Sequence, residues 1–372
     1  MDDDSVAPVP NLKVQQHLFV AMRKGSTDAV RAAAVKDLLA DIEKDGAWRD
    51  EALMKRLQEK NETELARLTE AQKKAEESEG DLELHTVLRQ RATYLARIGD
   101  KDATTTALDE ALEKATGLGS KIDLALLKIR VGLFFGDTDF TQEGITRAAA
   151  LIEEGGDWDR RNRLTAYRAV YAASVRNFSE SAKLALEALS TFTATELLDY
   201  EDFVKLTILM SMVTLPRREL KKMMESPEVL QTIDSLPHMR AFTSSLYSSE
   251  YAAFFRALAD VEQSYLLPSR ILSLHTQYYV REMRIITFAQ LLESYHKVAI
   301  DSMAQAFGVT PAYIDAELSR FISAGRLPAV IDKVEGTIEN RRPDVKNAQY
   351  SRIIKEGDVL LNSLQKLSRT AL

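Results

Sequence analysis

Leu88-Arg-Gln-Arg-Ala-Thr-Tyr-Leu-Ala-Arg-Ile-Gly-Asp100 reads as a helix that stops at Gly99-Asp100, with Leu108 and Ala111 on the helix that comes next. The same signal returns twice. Gly136-Asp137 follows the apolar helical stretch 122–135, and Arg176-Asn177 follows 167–175, at spacings of 37 and 40 residues. A period slightly above the roughly 34 residues of tetratricopeptide (TPR) units suits stacked helical hairpins, each burying its apolar face against the next. Small residues at Ala111, Ala182 and Ala185 let neighbouring helices approach closely. Where such a repeat usually carries Ala, the first copy has Thr104 and the third Ser181. The expectation is a mainly α chain whose centre, 81–270, is a TPR-like α-solenoid.

Upstream, residues 12–79 have helical spacing, with Trp48, Leu53, Leu57, Leu65 and Leu68 among many Lys and Glu. The mostly charged stretch 59–79 reads as a solvated helix held by side-chain pairs three and four apart. The region 1–80 is therefore expected to be helical after a short disordered start, since Met-Asp-Asp-Asp lacks the basic and apolar regions of a targeting segment.

Residues 151–164 read Leu-Ile-Glu-Glu-Gly-Gly-Asp-Trp-Asp-Arg-Arg-Asn-Arg-Leu. Gly155-Gly156 suits a helix end, and Asp157 or Asp159 suits the cap of the next helix. Glu153, Glu154, Asp157 and Asp159 could be read as a cation site. Arg160, Arg161 and Arg163 come directly after, however, so neutralisation and a helix start account for the acids. From 195 to 267 helices continue, punctuated by Pro216, Pro227 and Pro237.

Near Ser269 the pattern changes. A helix over about 277–299 precedes a short helix at 302–307, a Gly308-Val309-Thr310 turn, and a second helix over 311–324 with Thr310 as N-cap and Pro311 at its first position. Residues 327–331 and 337–339 then alternate around 333–336 as a β-hairpin does. Helix-turn-helix plus hairpin makes a winged helix, placed at 300–342. The segment 343–372 is a final helix, with Ile353, Leu360, Leu364 and Leu367 at heptad spacing and Gly357 four residues after Ile353. Such a seam needs a partner, either its own domain or helices of other chains.

The 372 residues exceed one ordinary domain. Only 15 Gly and 9 Pro stand among 45% apolar and 28% charged residues, which fits a helical soluble chain. Without cysteine there is no disulfide scaffold, thiolate site or cysteine nucleophile, and a reducing, intracellular setting is expected. His17, His85, His238, His275 and His296 lack zinc-site spacing, and no phosphate-binding glycine loop or nucleophile elbow occurs. No stretch approaches the roughly 18 to 20 apolar residues needed to cross a bilayer. The net charge of −7 has the wrong sign for coating nucleic acid. A winged helix nevertheless raises DNA reading as an alternative. Its second helix carries Asp315, Glu317 and Arg320, and would present carboxylates to a polyanion. Ile314, Leu318, Phe321 and Ile322 read as core, leaving the wing edge and flanking helices for protein contact.

A helical solenoid running into a winged helix is the layout of the PCI family, shared by subunits of the proteasome lid, the signalosome and an initiation-factor complex. Residues 151–164, Tyr-Tyr-Val-Arg-Glu-Met-Arg-Ile from Tyr278, Glu-Leu-Ser-Arg-Phe-Ile-Ser-Ala-Gly-Arg-Leu from Glu317, Ile331-Asp-Lys-Val334 and Gln-Lys-Leu-Ser-Arg from Gln365 resemble the non-ATPase lid subunits of the 26S proteasome regulatory particle. The resemblance implies a PCI module over 180–342 and a non-catalytic scaffold subunit of cytoplasm and nucleus, with no cofactor. It also implies partners: other PCI subunits of the lid, the lid deubiquitinase subunits through a helical bundle, and the ATPase ring and base. Nucleic acid and membrane are not among them. The interface candidates are Ile353, Leu360, Leu364 and Leu367 on the tail and Leu327 and Ile331 at the wing. A signalosome PCI subunit is the alternative within the family. Pro328, expected in the first wing strand, and Ala348 depart from the family pattern; Pro328 implies a lost ladder donor and an edge position.

Overall fold

The computed structural model describes residues 8–23, 51–77, 81–341 and 345–371. The chain start at Met1–Asp4, Trp48, and the side chains of Leu53, Leu57 and Ala348 lie outside the described residues. The chain divides into two units, 1–247 with 257–280, and 248–256 with 281–372.

The first unit holds α1 (Leu12–Met22), α2 (Glu51–Glu77) and three hairpins. These are α3 (Asp81–Ile98) with α4 (Lys101–Lys114), α5 (Leu118–Phe135) with α6 (Thr138–Glu153), and α7 (Trp158–Ser174) with α8 (Phe178–Ala188). Each turn is built alike. A left-handed residue, Gly99, Gly136 or Arg176, ends the first helix. The next residue, Asp100, Asp137 or Asn177, caps the second by accepting from the backbone N–H three positions on. Four residues past each cap stands a buried Thr104, Thr141 or Ser181. A hydroxyl is tolerated there because it is satisfied: Thr104 donates to the Asp100 carbonyl, Thr141 to that of Asp137 at 2.6 Å, and Ser181 to that of Ala169 at 2.8 Å. The middle hairpin is the tightest. A Cβ on Gly132 would come within 2.3 Å of the Thr141 hydroxyl, so only glycine fits. Leu88, Ala92 and Leu95 of α3, Leu108, Ala111 and Leu112 of α4, and Leu124, Leu127 and Val131 of α5 form one continuous core. Stacking is thus burial of one hairpin's face by the next.

The unit continues through α9 (Tyr200–Thr214), α10 (Arg217–Met224), α11 (Pro227–Ile233), α12 (Met239–Ser248) and the last residues, 257–261, of α13 (Tyr251–Val261). Pro216 and Pro227 stand at helix starts, and Pro237 sits in the turn before α12. After α13 the chain forms a strap over 268–279 across the hairpin turns. The Arg270 guanidinium donates to the carbonyls of Leu133 and Phe134 at 3.1 and 2.7 Å, satisfying the C-terminal end of α5. His275 Nε2 lies 2.8 Å from the Ser174 carbonyl, which ends α7. The Arg176 guanidinium lies 4.9 Å from the Tyr278 ring centre, a cation–π contact at the residue held at positive φ. Gln16 of α1 fastens the strap from outside, donating to the Pro268 carbonyl at 2.6 Å and accepting from the Arg270 N–H at 2.9 Å.

The second unit is the winged helix with its tail. It uses 251–256 of α13 and 281–294 of α14 (Thr276–Ser294), then β1 (Lys297–Ala299), α15 (Ile300–Phe307), α16 (Pro311–Ser323), β2 (Ala329–Asp332), β3 (Thr337–Asn340) and α17 (Val345–Ala371). The sheet order is β1-β3-β2, antiparallel throughout. Phe288, Phe307 and Phe321 meet edge-on or tilted at 4.9 and 6.1 Å in a core shared with Leu292, Ile314, Leu318 and Ile338. Thr310 caps α16 and Pro311 opens it as expected. Two expectations are corrected. The helix expected to reach residue 299 ends at Ser294, and 297–299 pair with β3 as a third strand. Pro328 immediately precedes β2 rather than lying within it; its carbonyl accepts from the Arg341 N–H at 2.8 Å with no proline N–H to return the bond, and β2 takes the expected edge position.

Arg270→Ala should lower unfolding stability by about 2 kcal/mol, because two helix-end carbonyls lose a charged donor. Arg270→Lys should recover only part, one ammonium replacing a two-pronged donor. Denaturant titration of the three proteins measures both differences. Asp137 has its pKa held below the ordinary carboxylate value, first by the Lys101 side chain at 2.7 Å and next by the Phe140 N–H. The sign comes from linkage: a lowered folded pKa adds stability above the ordinary carboxylate range that fades as pH falls through it. The Tm gap between wild type and Asp137→Asn should therefore be larger at neutral pH than in acid, which paired thermal melts would record.

Candidate assembly interface

The winged helix spends its charge internally. Glu317 of α16 is buried and accepts from Arg284 of α14 and from Arg320, each at 2.9 Å. Arg284 also donates to the Tyr313 hydroxyl at 3.0 Å. Glu282, likewise buried, takes Arg326 at the foot of the wing and Arg281 at 3.3 Å. Asp315 pairs with Lys333 of the wing turn at 3.2 Å. Glu317 thereby ties α16 to α14, and Glu282 ties the wing foot to α14; breaking such a pair strands a charge in low dielectric.

What α16 leaves outward is Ala312, Ala316, Ser319 and Ser323, all exposed and on one helical face. Alanine and serine make none of the bidentate base contacts that Arg, Lys, Asn or Gln supply, and the exposed cation Arg320 is tied to Glu317. The face suits close approach of another protein better than a duplex. The wing turn is stiffened by Asp332, whose carboxylate accepts from the Val334 and Glu335 N–H groups at 2.9 and 3.3 Å. Lys297 of β1 bonds Glu335 and lies 3.6 Å from Glu339, which raises its pKa, the Glu335 bond being the larger cause. Val334 stands at the tip, 96% exposed.

The six candidates fall into two groups. Leu327 is 3% exposed and belongs to the core of the winged helix, so it is a packing residue and offers nothing to a neighbour. Ile331 on β2 is half-buried against the same core. Alternation marks two faces of a strand but not which one is covered, which is why the sequence misplaces Leu327. Ile353, Leu360, Leu364 and Leu367 are all exposed on α17; Leu364, the least so of the four, is 53% exposed.

The helix has 27 residues, about 40 Å of length. Tyr350 extends the seam one step back, and Ile354 and Leu361 widen it on one side; all three are exposed. The sequence reading missed these three, though a stripe broader than two positions per heptad was visible in the same seven-residue spacing. That width fits a bundle of several helices better than a two-stranded pair. Among the described residues no group of three or more His, Cys, Asp or Glu stands close enough to hold a metal ion, and no helix is long and apolar enough to cross a membrane.

Known proteins share this layout. The family described as 26S proteasome subunit RPN7 matches residues 50–223, the PCI domain matches 258–342, and the 26S proteasome regulatory subunit RPN7/PSMD6 C-terminal helix matches 349–370. The chain is 38% identical to a 26S proteasome non-ATPase regulatory subunit 6 of Dictyostelium discoideum over 99% of both chains. It is 43% identical to the 26S proteasome regulatory subunit rpn7 of Schizosaccharomyces pombe over 84% of this chain and 80% of that one. With the RPN7 subunit of Saccharomyces cerevisiae it shares 42% identity over 85% of this chain and 75% of that one.

Fluorescence anisotropy of a labelled DNA duplex should stay flat as the full chain is added at low ionic strength. A saturating rise whose midpoint moves steeply with salt would restore the DNA reading.

Proposed function

The chain belongs to the 26S proteasome non-ATPase regulatory subunit 6 family, and on that premise we propose that it is a non-catalytic scaffold subunit of the regulatory-particle lid. Its work is the shape of its interfaces in ubiquitin- and ATP-dependent protein degradation. The observation that carries this reading is α17, a 27-residue helix whose apolar stripe is exposed along its length. Burying one such side chain is worth about 1.5–3 kcal/mol, so the stripe is a large unused driving force until other helices cover it. We assign those helices to other PCI subunits and to the lid deubiquitinase subunits, joined in one bundle. The wing side of the winged helix meets a neighbouring PCI module, and the solenoid meets the ATPase ring and base. The charges of the winged helix are consumed in holding it together, which suits a rigid joint. The chain acts in cytoplasm and nucleus, where the assembly works.

The test is co-purification from cells expressing the tagged full chain in place of the resident subunit. Native mass spectrometry should find it with lid and ATPase-ring subunits. Leu360→Asp/Leu364→Asp should reduce incorporation at least about tenfold, since each buried carboxylate costs several kcal/mol in an apolar bundle, while leaving the helical circular dichroism of the free chain unchanged. Normal incorporation of that variant, or of a chain lacking 349–372, refutes the tail's role. Recovery with a cullin-directed peptidase and without ATPases would point to the signalosome instead.

A further inference from the structure

Trp158, in the stretch 151–164, has no part in the tail or wing contacts. It opens α7 and is 65% exposed, an unusual position for a side chain that buries about 150–250 Å2 when covered. Its mount is rigid. Arg160 reaches Asp123 of α5 through Nε and Nη2 at 2.9 and 3.0 Å and also bonds Asp157. Arg163 lies 2.9 Å from Asp159, and Leu164, Ala166 and Tyr167 farther along α7 are buried.

Asp157 stands at the N-cap but makes no capping bond, its carboxylate being turned to Arg160 instead. Gly155 and Gly156, just before it, carry no side chain to shield the indole. The charge left outward is unequal. Within 153–163, Arg160 and Arg163 are half-buried against their own partners and the exposed Asp157 is taken by Arg160, which leaves Glu153 and Glu154 as an exposed acidic rim beside the exposed Arg161. A rigidly mounted tryptophan inside an acidic rim is the composition of an interface anchor, since such residues dominate binding where a partner pocket excludes water.

We infer that Trp158 anchors a second docking surface, its indole entering an apolar pocket bordered by lysine or arginine on another protein chain of the same assembly. The surface is separate from the helices that meet α17, and the inference rests on the assembly reading above. The acidic rim selects a basic border by charge complementarity and speeds encounter at low salt.

The experiment places the photo-crosslinking residue benzoylphenylalanine at position 158 of the full chain and irradiates the intact purified complex. The expected result is a crosslink to one chain other than this one, with a yield that falls at least about threefold in Glu153→Lys/Glu154→Lys. Trp158→Ala should leave incorporation through the tail intact while raising the rate at which this chain exchanges out of the complex. A chain that incorporates normally yet gives no crosslink from position 158, or crosslinks only to a second copy of itself, overturns the inference and leaves the assembly reading standing. A crosslink whose yield is indifferent to the charge reversals overturns the basic border. A chain absent from the complex sinks the assembly reading, and this inference with it.

Discussion

Every hairpin of the solenoid closes on one small interaction: a turn carboxylate or amide accepting from the N–H three residues into the following helix. Asp100, Asp137 and Asn177 all make it. Each cap is worth only about 1 kcal/mol, yet it fixes where the second helix begins and hence which of its faces meets the first. The buried hydroxyls of Thr104, Thr141 and Ser181 are placed by the same register, and so is the close pass of Gly132 against Thr141. Were a cap to slip by one position, the helix face would rotate by about 100° and the core of Leu95, Leu108 and Leu124 would lose its fit. The caps also couple neighbouring repeats, since Lys101 of the first hairpin binds the cap residue of the second at 2.7 Å.

The strap gives that row of turns an outer fastening. Arg270 and His275 address helix-end carbonyls that no residue of the same helix can satisfy, and Tyr278 lies against the strained Arg176. In the winged helix the buried carboxylates Glu282 and Glu317 do the corresponding work, tying α14 to the wing foot and to α16. Both devices put charged side chains to structural use. The surfaces left for contact are consequently apolar or short: the stripe of α17, Val334 at the wing tip, and the Ala-Ser face of α16.

Much of the fold is legible in the chain itself. The hairpin turns announce themselves because a left-handed residue followed by Asp or Asn is a local signal, complete within a few residues. Thr310-Pro311 is equally local, and so is the heptad spacing of the tail. The misreadings share a cause. β1 is three residues long and comes directly after a helix, so nothing local distinguishes it from one more helical turn; its partner is Thr337–Glu339. Leu327 alternates correctly but lies on the covered face, a fact set by α14–α16 rather than by its neighbours. The strap is invisible in sequence because Arg270 and His275 act on residues 137 and 101 positions away. Trp158 reads in the sequence only as part of a turn, since exposure cannot be taken from a pattern.

The stripe on α17 also bears on supply. A copy made in excess of its companions shows the surrounding fluid a ridge of isoleucine and leucine of the kind that quality control reads as damage. Ile353, Leu360, Leu364 and Leu367 are each more than half exposed. On the assembly reading proposed above, a copy without companions would carry the aggregation liability of an exposed apolar patch, so supply matched to the partners is the expected requirement.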